Sequence, residues 1–305
     1  MGKIILFYKY VSVMYPVQEQ KRQRALCEQL GLKGRIILAS EGINGTVGGS
    51  THAIELYKKH MQEHQLFYDM DIKESDGESS DFPRLRVLVK NEIVNFGGTP
   101  VDPHNGGTHL TPQQTHELLN NPPKDLVVFD ARNLYEADIG TFENAVVPPI
   151  QYFRDLPEYI DENLEQFKDK TVLMFCTGGI RCEKASAYLK TKDVAANVLQ
   201  ISGGIHRYVE QFPEGHFKGK NYVFDARISL KVTDDVLGSC HGCGTEFNEY
   251  TNCINVQCNK QVLACPGCIT NLLNTCSTAC AELVRSQQVK VRVLSVREQA
   301  RNQEL

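Results

Sequence analysis

The chain has 305 residues, of which 41% are hydrophobic and 23% are charged, and its formal net charge is −4. This composition is typical of a soluble globular protein with about two or three domains. No apolar run approaches the roughly 20 residues of a membrane-spanning helix, and the N-terminus lacks the length and cleavage site of a secretion signal. The slight acidity gives no sign of nucleic-acid binding by the chain as a whole.

Residues 1–96 are predicted to form one α/β domain. An apolar strand begins the chain and is followed by a helix, a strand, a glycine-rich turn, a second short strand and a second helix. The alternating run RLRVLVK at 84–90 is predicted to be the last strand. The order β-α-β-β-α-β indicates a ferredoxin-like sandwich. The stretch 97–112, rich in Gly, Pro, His and Asn, is predicted to be a linker.

Residues 113–226 show a different pattern, in which apolar strands alternate with helices. This alternation predicts a parallel sheet covered on both faces, with any active groups at the carboxyl ends of the strands. Over 227–305 the alternation stops, and the chain becomes Cys-rich and ends in a basic tail. We therefore predict a mixed α/β and α+β protein of three parts.

The segment TVLMFCTGGIRCEKASAYLK at 171–190 carries the clearest chemical signal. A buried strand brings Cys176 to its carboxyl end, and the loop TGGIR leads from there into a helix. The two glycines let successive N–H groups point inward, and the helix N-terminus and Arg181 add positive charge. All three favour the thiolate, the nucleophilic form of cysteine, and predict a depressed pKa. The alternative is a buried structural cysteine before an ordinary turn.

This segment resembles the active-site loop of rhodaneses, Cys-x4-Arg, and the resemblance covers residues 108–225. Asp130 and Arg132 stand where rhodaneses have Asp-x-Arg, which implies that they brace the pocket. ISGGI at 201–205 resembles the closing strand and turn, whereas Gly-Thr at 140–141 replaces the Gly-His of many rhodaneses. The loop is one residue shorter than in the related dual-specificity phosphatases, which argues against a phosphatase. The resemblance places in the active-site loop Cys176, Thr177, Gly178, Gly179, Ile180 and Arg181.

The whole chain is similar to the rhodanese-related tRNA uridine hydroxylase family. The similarity includes ASEGINGTVGGS at 39–50 and the C-terminal pattern with CHxCG and CPGC. It implies oxygen-dependent conversion of the wobble uridine, U34, to 5-hydroxyuridine, with Cys176 as the essential cysteine, the anticodon loop as partner and no organic cofactor. Two alternatives stay open: a thiosulfate or persulfide sulfurtransferase with a persulfide on Cys176, and a non-catalytic RNA-binding or scaffold protein.

A mechanism follows as a hypothesis from the chemistry of uracil. Addition of a thiolate at C6 would generate an enolate that reacts with O2 at C5, and loop N–H groups or Arg181 would stabilise the developing charge. Cys182 lies at the exit of the loop. It is either a resolving cysteine that forms a transient disulfide or a buried residue of the first helical turn.

Eleven cysteines are unusual for this length, and their odd total without an export signal favours a reducing cytoplasm over a disulfide framework. Eight of them cluster near the C-terminus. Two Cys-x2-Cys pairs are predicted to share one tetrahedral metal, and the remaining four suit a second structural Zn²⁺. The alternative is a set of reduced thiols, or disulfides formed on isolation. The predicted ligands are Cys240, Cys243, Cys253, Cys258, Cys265, Cys268, Cys276 and Cys280.

Basic residues at three places are candidates for RNA phosphate contacts, although such runs are usually solvated faces. The first place is the first helix, and the second is the last strand of the N-terminal domain. The third is the C-terminal tail, where residues 285–301 contain five cations and one acid, Glu298. The candidates are Lys21, Arg22, Arg24, Arg84, Arg86, Lys90, Arg285, Lys290, Arg292, Arg297 and Arg301.

Overall fold

The computed structural model describes residues 2–294. Its N-terminal domain is a five-stranded sheet with the order β4-β1-β3-β2-β5. All neighbours are antiparallel except β2 and β5, which are parallel. The elements are β1 (Gly2–Tyr10), α1 (Pro16–Gln29), β2 (Lys33–Ala39), β3 (Gly42–Ser50), α2 (Thr51–Gln62), β4 (Ile72–Asp76) and β5 (Leu85–Val89).

β1 to β4 and the helices α1 and α2 confirm the predicted ferredoxin-like sandwich. The prediction that the run RLRVLVK is its fourth strand is wrong. The run RLRVLVK forms β5, which pairs with β2 at one edge of the sheet. The fourth strand of the sandwich is β4, which pairs with β1 at the other edge. Its sequence, IKESD, has a single apolar residue and no apolar alternation, so it gives no strand signal. An edge strand needs less apolar sequence because only one side is paired.

Successive side chains of β1 point to opposite faces of the sheet, and the two faces pack against different parts of the protein. Ile5 and Phe7 point into the core of the domain, where they pack with residues of α1 and α2 such as Cys27, Ile54 and Tyr57. The opposite face of the strand packs on the central domain. The N-terminal sheet is therefore buried on both sides around β1.

The central domain contains a four-stranded sheet with the order β6-β10-β9-β7, and all its strands are parallel. This confirms the predicted parallel α/β fold. Residues 172–175 of β9, VLMF, are continuously apolar and buried because this inner strand is covered on both faces. The elements are β6 (Thr108–Leu110), α3 (Pro112–Asn120), β7 (Leu126–Asp130), α4 (Leu134–Ala137), β8 (Gly140–Phe142), α5 (Leu156–Glu162), β9 (Thr171–Phe175), α6 (Ile180–Thr191), β10 (Asn197–Ile201) and α7 (Gly204–Gln211).

The stretch 97–112 that the sequence predicts as a linker contains β6, an edge strand of this sheet. Three residues are too few to show an apolar period, so the strand is not visible in the sequence. Thr111 then caps α3, and its hydroxyl accepts a hydrogen bond from the backbone N–H of Gln114.

Lys184 of α6 joins the central domain to the N-terminal part of the chain. Its side chain is only 2% exposed, and its Nζ lies 2.9 Å from a carboxylate oxygen of Glu41 and 2.8 Å from one of Glu92. Glu41 belongs to the segment ASEGING at 39–45, so this ion pair gives that segment a structural role at the contact between the domains.

The C-terminal part begins on the central domain and ends as a separate small module. β11 pairs with β8 and with β12, and β13 pairs with β14 in an antiparallel hairpin. No helix within residues 2–294 has the length and apolar character needed to cross a bilayer. The elements are β11 (Phe217–Tyr222), β12 (Ser229–Lys231), β13 (Tyr250–Asn252), β14 (Gln261–Leu263), α8 (Pro266–Asn271) and α9 (Thr278–Arg285).

Candidate active site

Cys176 lies immediately after β9, at the carboxyl edge of the parallel sheet. The backbone N–H of Gly179 donates a hydrogen bond to its sulfur over 3.2 Å. Gly179 has a φ of 104°, which a residue with a side chain rarely adopts, so this position of the loop favours glycine. The loop therefore turns around the sulfur as the two glycines predict.

The surroundings of Cys176 hold it as a thiolate. Burial raises its pKa, but a hydrogen bond from the Cys182 thiol, the charge of Arg181 and the backbone N–H groups of Arg181 and Cys182 lower it more. The pKa falls from 9.0 to about 5. At neutral pH the sulfur is thus in its nucleophilic form although it is fully buried.

Arg181 is held by a carboxylate that the sequence analysis missed. Its guanidinium donates to both carboxylate oxygens of Glu136, over 2.5 and 2.7 Å, and a further bond of 3.3 Å reaches the hydroxyl of Thr177. Burial alone would raise the pKa of Glu136, but Arg181 holds it below its usual range. The sequence signal was the capping box from Asn133 to Glu136, which predicts only a helix start. Because the two charges largely cancel, Arg181 offers less net positive charge than the sequence suggests.

Asp130 and Arg132 form a second buried ion pair with a bracing geometry. Arg132 Nη2 lies 2.6 Å from a carboxylate oxygen of Asp130 and donates over 2.6 Å to the carbonyl of Gly140. The hydroxyl of Thr141 donates to the same carboxylate over 2.9 Å. The pair thus ties the end of β7 to β8, and Thr141, which replaces the rhodanese histidine, takes part in this network.

The ISGGI turn brings the N-terminus of α7 against the loop that follows Cys176. The backbone N–H of Ile205 donates to the carbonyl of Cys176 over 3.0 Å. A Cβ on Gly204, whose φ is +65°, would lie 2.4 Å from that carbonyl oxygen, so only glycine fits. His206, the next buried side chain, stays neutral at pH 7 because burial and the charge of Lys73 lower its pKa to about 4.

The N-terminal domain covers the loop with the outer face of β1. A Cβ on Gly178 would lie 2.8 Å from Leu6 and one on Gly179 would lie 2.7 Å from the hydroxyl of Tyr8, so both glycines allow this close approach. The hydroxyl of Tyr8 donates to Glu183 over 2.9 Å. Tyr10 reaches the carbonyl of Ile180 at 3.3 Å.

Lys73 of β4 adds a buried cation to this covering surface. Its Nζ lies 5.3 Å from the centre of the Tyr8 ring and 2.8 Å from a carboxylate oxygen of Asp71. Burial lowers the pKa of Lys73, against the opposing effects of Asp71 and of the Cys176 thiolate. Leu6, Tyr8 and Lys73 could not be predicted from the sequence, because nothing local marks the residues that meet another domain.

Cys182 is buried beside Cys176 in the same apolar cluster. Burial and the neighbouring Cys176 thiolate raise its pKa well above the usual value, so it is a neutral thiol that donates to the thiolate. This placement is compatible with both sequence interpretations, and a resolving role stays a prediction.

The eight C-terminal cysteines form two groups, divided as the spacing predicts. The Cys-x2-Cys pairs at 240–243 and 265–268 form one group, and Cys253, Cys258, Cys276 and Cys280 form the other. Within each group all four sulfur atoms lie within 4.8 Å of one another. Sulfur atoms on a tetrahedral zinc with bonds of about 2.3 Å lie about 3.8 Å apart. The separations of 3.6 Å for Cys243–Cys265 and 3.5 Å for Cys258–Cys276 fit that geometry.

The predicted RNA-binding residues do not converge on Cys176 through any contact in the described part of the chain. Lys21 and Arg22 are exposed on α1, whereas Arg24 donates to the carbonyl of Val87 in β5. Arg84 and Arg86 accompany β5, at the edge of the sheet away from β4. Of the cationic tail, residues 297, 298 and 301 lie outside the described residues. RNA binding by these groups stays a prediction.

Comparison with known proteins gives the chain a family. Residues 2–93 match the UPF0176 acylphosphatase like domain, and residues 218–281 match the Rhodanase C-terminal family. A protein of Corynebacterium urealyticum named tRNA uridine(34) hydroxylase is 41% identical over 90% of this chain and 96% of its own length. The chain belongs to the tRNA uridine(34) hydroxylase family. Proteins of the same name from Corynebacterium jeikeium and Corynebacterium aurimucosum are 42% and 41% identical over 87% and 94% of this chain, and 89% and 98% of their own lengths.

The buried ion pair between Glu136 and Arg181 predicts an effect on the stability of this tRNA uridine(34) hydroxylase. Glu136→Gln should lower the free energy of unfolding by about 3 kcal/mol, because it removes the carboxylate that pairs with the buried guanidinium of Arg181. Urea unfolding followed by circular dichroism measures this. The matched control is Asp155→Asn, whose ion pair with Arg154 is half-exposed and 3.7 Å long, and which should cost less than about 1 kcal/mol. Equal losses for the two variants would contradict the assignment.

The thiolate of Cys176 should titrate near pH 5 and should respond to Cys182. The difference in ultraviolet thiolate absorbance between the wild type and Cys176→Ser gives the titration of this one sulfur. We expect a midpoint of about 5, and a higher midpoint in Cys182→Ala, which lacks the S–H donor. A midpoint near the ordinary value of 9.0, or no change in Cys182→Ala, would show that the loop does not stabilise the thiolate in this way.

Proposed function

We propose that this protein hydroxylates C5 of uridine 34 in tRNA to give 5-hydroxyuridine, with O2 as co-substrate and Cys176 as the nucleophile. The observation that carries the proposal is the match to tRNA uridine(34) hydroxylases over 96% of a relative's length, in a chain whose Cys-x4-Arg loop holds a thiolate. The partner is the anticodon loop, whose unpaired bases can turn out of the stack at modest cost. The compartment is the cytoplasm, since all eleven cysteines are unpaired.

The first step is addition of the Cys176 thiolate to C6 of uracil. A bond forms between sulfur and C6, and the electron pair of the C5–C6 double bond moves to C5 and the C4 carbonyl oxygen as an enolate. This step makes C5 much more nucleophilic than it is in free uridine. Buried N–H groups of the loop are suited to stabilise the negative charge because they need not reorient during the reaction.

The second step forms the C5–oxygen bond and restores the ring. The enolate carbon reacts with O2 to give a C5 hydroperoxide, and cleavage of its O–O bond leaves a hydroxyl on C5 and releases water. This cleavage consumes two electrons and two protons, which we assign to a thiol reductant that becomes a disulfide. Loss of the C5 proton then expels the Cys176 thiolate, so that one O2 yields one 5-hydroxyuridine and one water.

We also propose that the two cysteine groups each bind one structural Zn²⁺. Four thiolates fill a tetrahedral site and leave no open position, so the ions would crosslink the module and take no part in the reaction. The group around Cys240 would join the segment before β13 to α8, and the group around Cys253 would join the hairpin to α9. The small module needs such crosslinks because its own apolar core consists largely of the cysteines.

Nucleoside mass spectrometry of tRNA tests the reaction. In cells without this gene, 5-hydroxyuridine and its derivatives should be lost, and only the wild type should restore them. Cys176→Ser should restore none, because a serine hydroxyl stays protonated where a thiol ionises. If these nucleosides are unchanged and thiolated nucleosides fall instead, the protein is a sulfurtransferase. Cys27→Ser, which changes a buried cysteine of the N-terminal domain, is the matched control for expression and folding.

The source of the oxygen atom is tested separately with purified protein, tRNA and a thiol reductant under 18O2. We expect one 18O atom in each 5-hydroxyuridine. Incorporation of oxygen from water would rule out the route through the C5 hydroperoxide.

The zinc proposal predicts two ions per chain, counted by native mass spectrometry. The pair of changes Cys265→Ser and Cys268→Ser should remove one ion, and the pair Cys276→Ser and Cys280→Ser should remove the other, each with a lower unfolding temperature. Cys27→Ala, which lies outside both groups, should keep two ions. A wild-type protein with no stoichiometric zinc would contradict the proposal.

A further inference from the structure

An aromatic ring lies at the surface where the three parts of the protein meet. Phe224 follows β11 and is 57% exposed. Its ring centre lies 5.9 Å from the Cζ atom of Arg181 in the catalytic loop, and 5.2 Å from the ring of Tyr222. Tyr222 in turn contacts Tyr135 and Tyr250, which joins the ring to the C-terminal module. Phe224 is therefore adjacent to the active site and open to solvent.

The segment that carries Phe224 is fixed in place by its neighbours. Arg227 forms two hydrogen bonds with the carboxylate of Asp225, over 2.8 and 2.6 Å. The same guanidinium donates to the hydroxyl of Ser75 over 2.8 Å and to the carbonyl of Asp76 over 2.7 Å, and both belong to β4. The N–H of Ala226 donates to the carbonyl of Asp81 over 2.9 Å. Hydrogen bonds of the three residues that follow Phe224 thus hold the segment that presents this ring to solvent.

Single exposed apolar residues are common and need no explanation by themselves. Phe224 differs in two respects, because the residues that follow it are bonded to another domain and its ring lies against the guanidinium of a loop arginine. A fixed aromatic face that is open on one side is the feature on which unpaired bases stack in RNA-binding proteins. Stacking costs little ordering entropy when the ring is already held.

The depth of Cys176 indicates which base meets this ring. The sulfur has no exposed surface, so the target base must enter beyond the surface to reach it. Phe224 stays outside, on the solvent side of Arg181. A nucleotide that stacks on Phe224 is therefore a neighbour of the target in the anticodon loop.

We propose that Phe224 is the platform on which a base adjacent to uridine 34, at position 33 or 35, stacks while the target base is in the active site. This inference rests on the proposed function, because it assumes the anticodon loop as the substrate. Phe224 is a substrate-positioning residue and takes no part in bond formation.

Binding to anticodon stem-loop RNAs tests the proposal. The RNAs are the intact stem-loop and three forms in which the base at position 33, 34 or 35 is removed. Phe224→Ala should raise the Kd for intact RNA roughly tenfold, and Phe224→Tyr should bind like the wild type because stacking needs only an aromatic face. The loss caused by Phe224→Ala should disappear with the RNA that lacks base 33 or with the one that lacks base 35. At saturating RNA the hydroxylation rate of Phe224→Ala should stay within about twofold of the wild type, since stacking acts on binding.

Tyr15→Ala is the matched control, because Tyr15 is 61% exposed but belongs to the start of α1. Its effect on the Kd should not depend on which base is removed. The proposal is overturned if Phe224→Ala binds intact RNA as the wild type does, if its loss is the same with all four RNAs, or if the loss disappears only when base 34 is missing. Failure of the proposed function would look different, because the wild type itself would not hydroxylate the intact stem-loop.

Discussion

A thiolate without contact to water is the constraint on which the active site depends. A charge on sulfur loses hydration when it is buried, so protein groups must replace the lost stabilisation. For Cys176 the replacements are backbone N–H groups, the thiol of Cys182 and the charge of Arg181. Arg181 is paired with Glu136, which fixes its position but reduces the net charge near the sulfur. The shape of the loop therefore matters as much as its charge, and Gly179 and Gly204 are needed because they permit that shape.

The contact between the domains lies beside the buried sulfur. Leu6 and Tyr8 of β1 lie against the loop glycines, and Cys176 has no exposed surface, so a uracil ring can meet the sulfur only after groups around the loop move. Much of the contact is polar and consists of the hydrogen bond from Tyr8 to Glu183 and the ion pairs of Lys184. Water or RNA can replace polar contacts of this kind at lower cost than apolar core contacts, and interfaces between domains commonly move for this reason.

The parts of the site that the sequence predicts are those formed by neighbouring residues. The Cys-x4-Arg loop and the Cys-x2-Cys pairs are local, so spacing alone predicts how Cys176 meets its amides and how the cysteines divide into two groups. Glu136 is 45 residues from Arg181, and its sequence context indicates only a helix cap. Tyr8 and Lys73 belong to another domain and acquire their roles only through packing. β4 was not predicted because a charged edge strand has no apolar alternation. β5 was predicted as the fourth strand of the sandwich because its apolar alternation is strong.

The Cys-rich module also supports the active site, although none of its cysteines lies near Cys176 in sequence. The hydroxyl of Tyr250 in β13 donates to the carbonyl of Tyr135 over 2.8 Å, and Tyr250 and Leu263 pack with Ile139. These contacts flank α4, the single helical turn that carries Glu136. Each strand of the β13–β14 hairpin ends within two residues of a cysteine, Cys253 or Cys265, and each of these belongs to a different group. A metal crosslink at both groups would hold the hairpin against α4 and would thereby fix the position of Glu136. Glu136 in turn orients Arg181, whose charge stabilises the Cys176 thiolate.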